Sequence, residues 1–368
     1  MGSDLLSDSK FGIHPRRWLL LLVLIAFAAL VASRFTDVQN LVLTLSQGQW
    51  QWVLAAILLQ LLYYVLYAGM YEFGFYTVGV ESRALELLPV LFAAIFINAV
   101  APLGGAGGAA VFIDDAVQRG QSGARTAVGL VLVLLADLGT LIPFVITGAV
   151  FLFRKRDLHL YDAVVGTFFV LFIGSLTGAL VLARRQPDQL HRLLQWLQRT
   201  VNQVGSRFNR PDLLASDWAA KNASEFGEAA IAIAAHPMRL GFTLALALFL
   251  HVVNLAGLYT LFLAFQQPVT LGPLVAGFGM GIVFWVVSVV PQGIGVVEGI
   301  MSLVFSSLGI PRTKAVVISL AFRGVNFWLP LIVGFFLLRY VRSFGAGHST
   351  AVAGERTENT HEPGGEPV

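Results

Sequence analysis

The stretch Asn98-Ala-Val-Ala-Pro102-Leu-Gly104-Gly105-Ala-Gly107-Gly108 lies between two apolar pieces, 87–101 and 109–118, each too short to cross a bilayer. Proline removes a backbone donor and glycine relaxes the backbone, so this run ends one helix and lets another begin. The pattern returns at Pro291-Gln-Gly293-Ile-Gly295-Val-Val-Glu298-Gly299. Pro102 and Pro291, Gly104 and Gly293, and Gly120 and Gly309 are separated by one and the same interval, and a long apolar segment follows each copy. Breakers that share an offset mark an internal repeat.

Of the 368 residues, 57% are hydrophobic and 12% charged, with a mean hydropathy of +0.76. Soluble domains carry about 25% charged residues, so the composition is that of a polytopic membrane protein. The net charge of +3 is small and the Arg-rich parts are loops, which suits anionic lipid headgroups; no nucleic-acid partner is expected. Cysteine is absent, which excludes disulfides, thiolate chemistry and cysteine metal sites. The seven histidines are scattered without a ligand pair, so neither a metal nor a cofactor is expected.

Apolar runs at 18–33, 50–70, 126–153, 163–183, 240–265 and 315–338 are long enough to span. The fold class expected is an all-α polytopic membrane protein with about seven full spans plus two Pro/Gly-broken re-entrant hairpins, 87–120 and 274–309. The chain divides into a cytoplasmic tail (1–17), one membrane domain (18–342) and a disordered Gly/Glu/Thr-rich tail (343–368). Val31-Ala32-Ser33 leaves a signal peptide as the rival reading of 18–33. Trp50, Trp52, Tyr63, Tyr64 and Tyr67 read as interfacial anchors, and Glu72 to Glu86 as a polar connection.

The polar segment 184–239 carries Leu190, Leu193, Leu194, Leu197, Val201, Val204 and Phe208 at helical spacing, with Arg192, Arg199 and Arg207 between them. That is a basic amphipathic helix, placed in the headgroup region or packed on neighbouring spans. The positive-inside rule puts this loop and both termini in the cytoplasm. The first hairpin then begins and ends inside and the second outside, an inverted-topology repeat that brings interrupted helices together at the bilayer midplane. Arg154-Lys155-Arg156, Arg312 and Lys314 run against the rule.

An ionisable side chain within a membrane costs about 2.5–3.5 kcal/mol on insertion scales and therefore needs a partner or a task. Asp137, Glu298 and Arg323 are the main cases, with Asp114, Asp115 and Arg119 on the second arm of the first hairpin. Asn98, His251, Asn254 and Asn326 are the uncharged candidates, His251 and Asn254 sharing one helix face. Glu298 starts a helix after a break, where the dipole favours an anion. Arg323 can pair with Glu298 as a structural ion pair, or hold a phosphate bidentately. Gly104, Gly105, Gly107, Gly108, Gly293 and Gly295 can offer amides to an anionic headgroup, or simply let helices pack closely. Gly277-x-Gly279-x-Gly281 reads as packing. No Gly-Lys-Ser/Thr follows the first glycine run, and no Gly-x-Ser-x-Gly elbow occurs, so neither a nucleotide-binding loop nor a serine hydrolase is supported.

Asn98…Pro102-Leu-Gly-Gly-Ala-Gly-Gly108, Gly293-Ile-Gly-Val-Val-Glu298 and Ala321-Phe-Arg323…Leu329-Pro330 together resemble the lysylphosphatidylglycerol synthase transmembrane region, or flippase-like, family. The likeness covers about residues 18–342. It implies a multi-pass inner-membrane protein whose proposed activity is lipid translocation. Family members often place an acidic residue and an arginine shortly after the glycines, where this chain has Ala109-Ala110-Val111-Phe112. The soluble domain that aminoacylates lipid in the fused members has no counterpart here, and a non-enzyme is expected. The reading is a translocator of an anionic phospholipid or polyprenyl-phosphate lipid, with a homo-oligomer or a membrane enzyme as possible company. Its rivals are a secondary transporter of a small solute or ion, with Asp137 or Glu298 as the coupling carboxylate, and a non-transporting partner of an envelope-polymer or lipid-modifying enzyme.

Overall fold

The computed structural model describes residues 46–100, 106–154, 185–206, 214–288 and 291–337, with isolated positions between 167 and 181. The described residues form helices and connections, with no strand among them. Four helices are long and apolar enough to cross a membrane: α1 (Trp50–Thr77), α4 (Gly123–Arg154), α7 (Pro237–Ala264) and α10 (Arg312–Leu337). Shorter helices α2 (Ala84–Val100) and α3 (Ala106–Gln118) flank the first break, and α8 (Leu271–Val287) and α9 (Val296–Ser307) the second. The segment 184–239 contains α5 (Pro187–Ser206) and α6 (Trp218–Ala235). The spans expected at 18–33 and 163–183 and the two tails lie outside the described residues, apart from isolated helical positions within 163–183.

α1 and α7 run antiparallel over their whole length. At one end the Gln49 N–H donates to the Ala264 carbonyl (2.9 Å), and at the other Arg239 lies over the Tyr76 ring (4.2 Å). The outward face of α1 is the exposed stripe Leu54, Leu58, Leu61, Leu62 and Val65, as a lipid-facing helix requires. The first hairpin rises from the Tyr76 end: Glu72 accepts the Ala84 N–H (2.9 Å), and Arg119 at the end of α3 reaches Glu86 at the start of α2 (3.6 Å). The second hairpin rises from the Ala264 end. There Lys314 donates to the Phe265 carbonyl (3.0 Å), an otherwise open acceptor at the end of α7, which gives this lysine a local task on the face expected to be poor in positive charge.

Of the four apolar clusters among the described residues, the two largest organise the hairpins. One gathers α1, α2 and α3; the other gathers α4, α7, α8 and α9. α10 belongs to both, giving Ala315, Ile318, Ala321 and Phe322 to the second core, and Phe327 and Leu331 to the first. It changes core across a π-helical segment, Gly324–Trp328. The extra residue of a π turn rotates the helix face, and such turns concentrate at functional positions. Ile294 of the second break packs against the first core, so the break of one hairpin touches the other hairpin's surroundings. The glycines of α8 fit the packing reading: Cβ atoms at Gly277 and Gly281 would meet Phe305 and Met301 of α9, and one at Gly279 the Phe144 carbonyl of α4 (3.1 Å).

Two sequence expectations are corrected. α1 continues to Thr77, so the polar connection is shorter than Glu72 to Glu86. Tyr64 and Tyr67 are not interfacial anchors but turn inward, where their hydroxyls donate to the Asn326 carbonyl and the Asp137 carboxyl, while the half-buried Tyr63 packs edge-on against Tyr64 (5.3 Å).

Candidate functional site

At the second break α8 ends at Val287, and the chain passes Pro291–Gly293 as a tight turn before α9 begins. Gln292 (φ 55°), Gly293 (φ 64°) and Gly295 (φ 84°) all take left-handed backbone, which for Gln292 stores strain that its surroundings must hold. They do so from both ends of the residue. The Trp285 indole donates to the Gln292 side-chain oxygen (3.2 Å), and Arg323 Nη2 donates to its carbonyl (2.7 Å).

Arg323 reaches across the break to α9 as well. Its Nε donates to Glu298 Oε1 (3.0 Å), while Glu298 Oε2 accepts the Gly295 N–H (2.7 Å) at the start of the new helix. One guanidinium therefore ties the turn before α9 to the first turn of α9, from the last residue before the π segment of α10. The two side chains are 11% and 16% exposed. Arg323 also stands 5.3 Å from the Phe327 ring centre, so a face of the cation is covered by aromatic carbon.

The first break uses the same device with a neutral cap. Asn98 Oδ1, in the last turn of α2, accepts the Gly108 N–H (2.7 Å) near the start of α3. A Cβ at Gly108 would collide with the Asn98 amide, so this position needs glycine for close approach. Gly107 is buried in the same turn, while Gly104 and Gly105 lie outside the described residues. In both hairpins, then, one of the open amides of the restarting helix is already held by a side chain. Asp115 pairs with Arg119 (2.6 Å), and Asp114 binds Gln118 (2.7 Å), so these charges brace the base of the hairpin.

The remaining candidates form a seam through the interior. Asn326 Nδ2 donates to Asn254 Oδ1 (3.2 Å), and the Tyr64 hydroxyl donates to the Asn326 carbonyl (3.0 Å). Pro330, four residues on, brings no N–H to that carbonyl, so Tyr64 supplies the missing donor. Three residues further along α1, Tyr67 donates to Asp137 Oδ2 (3.2 Å). Three residues back along α7, His251 binds the Asp137 carbonyl (2.9 Å). Three residues advance a helix by about 4.5 Å, so the Asp137 group and the Asn326 group are consecutive steps of one polar line. The structure thus joins Asp137 to His251 and Tyr67, Asn326 to Asn254 and Tyr64, and Glu298 to Arg323. Asn98 stands apart at the other break.

Sequence reasoning missed the inward roles of Tyr64 and Tyr67, and Gln292 altogether. The two tyrosines were open to it as a polar stripe with Tyr71 at helical spacing along an apolar span. The acceptor on Gln292 is main chain and leaves no trace in composition.

The family model for the lysylphosphatidylglycerol synthase TM region matches residues 18–334. The chain belongs to that family. It is similar to a UPF0104 membrane protein of Pyrococcus horikoshii, 20% identical over 318 residues, covering 86% of this chain and 94% of the relative. A UPF0104 membrane protein of Methanocaldococcus jannaschii is 21% identical over 337 residues, covering 88% of this chain and 94% of the relative. With its apolar helices and these relatives, this member of the lysylphosphatidylglycerol synthase transmembrane family is a multi-pass membrane protein.

Proposed function

We propose that the protein is a lipid translocator, not an enzyme, and moves an anionic or phosphate-bearing amphiphile, a phospholipid or a polyprenyl phosphate, between leaflets. The observation that carries this reading is the lateral exposure of the second break. Gly295 and Gly299 are exposed there, and Trp285, Val287 and Leu303 beside them stand out at 38%, 36% and 58%. A headgroup passing the seam would keep its acyl chains on that apolar flank. Magnitudes also argue for a task. Interhelical hydrogen bonds in membranes contribute about 0.6 kcal/mol each on average, whereas an Asp or Arg at a helix centre costs about 2.5–3.5. Asp137, Glu298 and Arg323 are thus a poor route to stability alone.

In this mechanism a headgroup phosphate reaches Arg323 by exchange. Two phosphate oxygens take the donors now given to Glu298 and Gln292, so the cation is never left unpaired in low dielectric. Glu298 swings away, and the Gly295 amide, freed at the start of α9, becomes a further donor to the anion. The hairpins 87–120 and 274–309 are re-entrant and related as an inverted repeat, with Asn98 and the glycines of the first break serving the opposite leaflet. The protein resides in the inner membrane with both termini cytoplasmic, as a homo-oligomer or beside a membrane enzyme. A leaflet-resolved assay on proteoliposomes, with a panel of anionic, polyprenyl-phosphate and neutral lipids, tests this. Faster exchange of at least one phosphate-bearing lipid than in protein-free vesicles is expected; rates equal to the protein-free vesicles across the panel refute it.

A further inference from the structure

Two buried atoms of the seam are left open. Asp137 Oδ1 and His251 Nδ1 are both enclosed and neither has a hydrogen-bond partner. The side chains are 10% and 4% exposed. Everything else on the pair is engaged. Tyr67 donates to Asp137 Oδ2 (3.2 Å), and the Asp137 carbonyl accepts both from His251 Nε2 (2.9 Å) and from Thr140 (3.1 Å). A carbonyl can only accept, so Nε2 carries a proton, and Nδ1 is the nitrogen free to gain or lose one. Nε2 also stands 3.3 Å from Asp137 Oδ1, close enough for the carboxylate to stabilise an imidazolium.

Leaving a buried polar group without a partner is costly, and a native structure keeps one for a reason. The groups around the pair do not supply a permanent counter-charge. α1 presents the neutral hydroxyls of Tyr63, Tyr67 and Tyr71, and α7 adds Asn254 on the His251 face. α8, which also packs on α4, has no ionisable residue. α3 meets α4 at Gly123, and its Asp115 is paired with Arg119; α6 brings Glu228, which is paired with Arg125. Glu298 and Arg323 neutralise each other at the next step of the seam. Phe144 closes over the imidazole edge-on at 6.0 Å.

We propose that Asp137 and His251 form a proton-binding site, loaded and unloaded through His251 Nδ1. The loaded state is carboxylate with imidazolium, net zero; release of one proton from Nδ1 leaves carboxylate with neutral imidazole, net minus one. Only a proton moves, and no bond other than N–H forms or breaks. If the translocation reading holds, on which the coupling rests, an anionic headgroup in the seam favours the loaded state, and by linkage a bound proton favours the headgroup. A proton gradient would then act on lipid movement through this pair. Glu298, the other candidate for a coupling carboxylate, has both oxygens taken.

The test uses the full chain with nitrogen-labelled histidine, the His251 resonance being the one absent from His251→Gln. Nδ1 is expected to gain and lose a proton within the pH range over which the protein stays folded, and Asp137→Asn to displace the midpoint of that change, because it removes the neighbouring carboxylate. Where Asp137→Asn does not fold, Asp137→Glu keeps the carboxyl and is expected to displace the midpoint less. An imidazole in one state throughout that range overturns the proposal, as does a midpoint indifferent to residue 137. Flux separates this from the translocation reading. A titrating His251 in a protein that moves no lipid upholds the proton site and removes translocation. Lipid flux with a static His251 does the reverse.

Discussion

At the residue scale, the second break depends on one cation. Arg323 holds Glu298 and the Gln292 carbonyl together, so removing either charge strands the other in low dielectric. Glu298→Gln and Arg323→Gln should each lose about 3–5 kcal/mol, read as lower folded yield, and the double variant should recover most of it. Equal yields for all four proteins would mean the pair contributes nothing. The first break makes a steric counterpart. Gly108→Ala drives a Cβ into the Asn98 amide and should lower thermal stability, while the smaller Asn98→Ala should relieve the clash at the expense of a cap, about 1 kcal/mol. Stability of Gly108→Ala equal to wild type would remove the lock. The Glu298–Arg323 contact was legible in the sequence because so few ionisable residues interrupt the apolar spans. The inward tyrosines were not, since clustered aromatics near a span's end carry the signature of an interfacial belt whichever way they point.

At the element scale, α5 is the clearest unpaired surface. Its amides turn toward the α6 side, with Gln198 donating to the Ala215 carbonyl (2.6 Å) and Asn202 bonding Leu214 in both directions (2.9 Å each). Leu193, Trp196 and Leu197 are left exposed, with Arg192 and Arg199 also exposed. An apolar strip edged with arginine suits an anionic membrane surface. The chain has no cysteine, so a probe on Leu197→Cys reports only that position. Brominated lipids should quench it, and added salt should weaken quenching in anionic nanodiscs, because headgroup attraction is screened. Absence of quenching would leave the strip facing water. Helical spacing made α5 readable. α6 was missed because Ala-rich Trp218–Ala235 alternates too little between apolar and polar to show a period, and its place is fixed by contacts such as Glu228 to Arg125 (2.8 Å).

At the scale of the whole molecule, the two hairpins rise from opposite ends of an antiparallel α1–α7 pair, and α10 passes between their cores at the π segment. The two Pro/Gly runs announced two breaks; separate helices α2 and α3 flank the first, and α8 stops and α9 restarts at the second. What the sequence could not carry is which polar groups meet across helices, because seam partners such as Asn254 and Asn326 lie far apart along the chain. Single cysteines at Ser122 and Ser206 should be shielded from an impermeant thiol reagent in intact cells, while one at Gln267 should react. Labelling at Ser122 without labelling at Ser206 would make the first hairpin a single crossing. The most direct measurement is lipid flux through the Glu298→Gln/Arg323→Gln double variant, reconstituted at the same folded amount as wild type. If Arg323 handles the headgroup, the double variant regains folded yield yet carries no lipid above protein-free vesicles. Wild-type flux from that variant would contradict a headgroup role for Arg323 and leave the pair as a structural clasp.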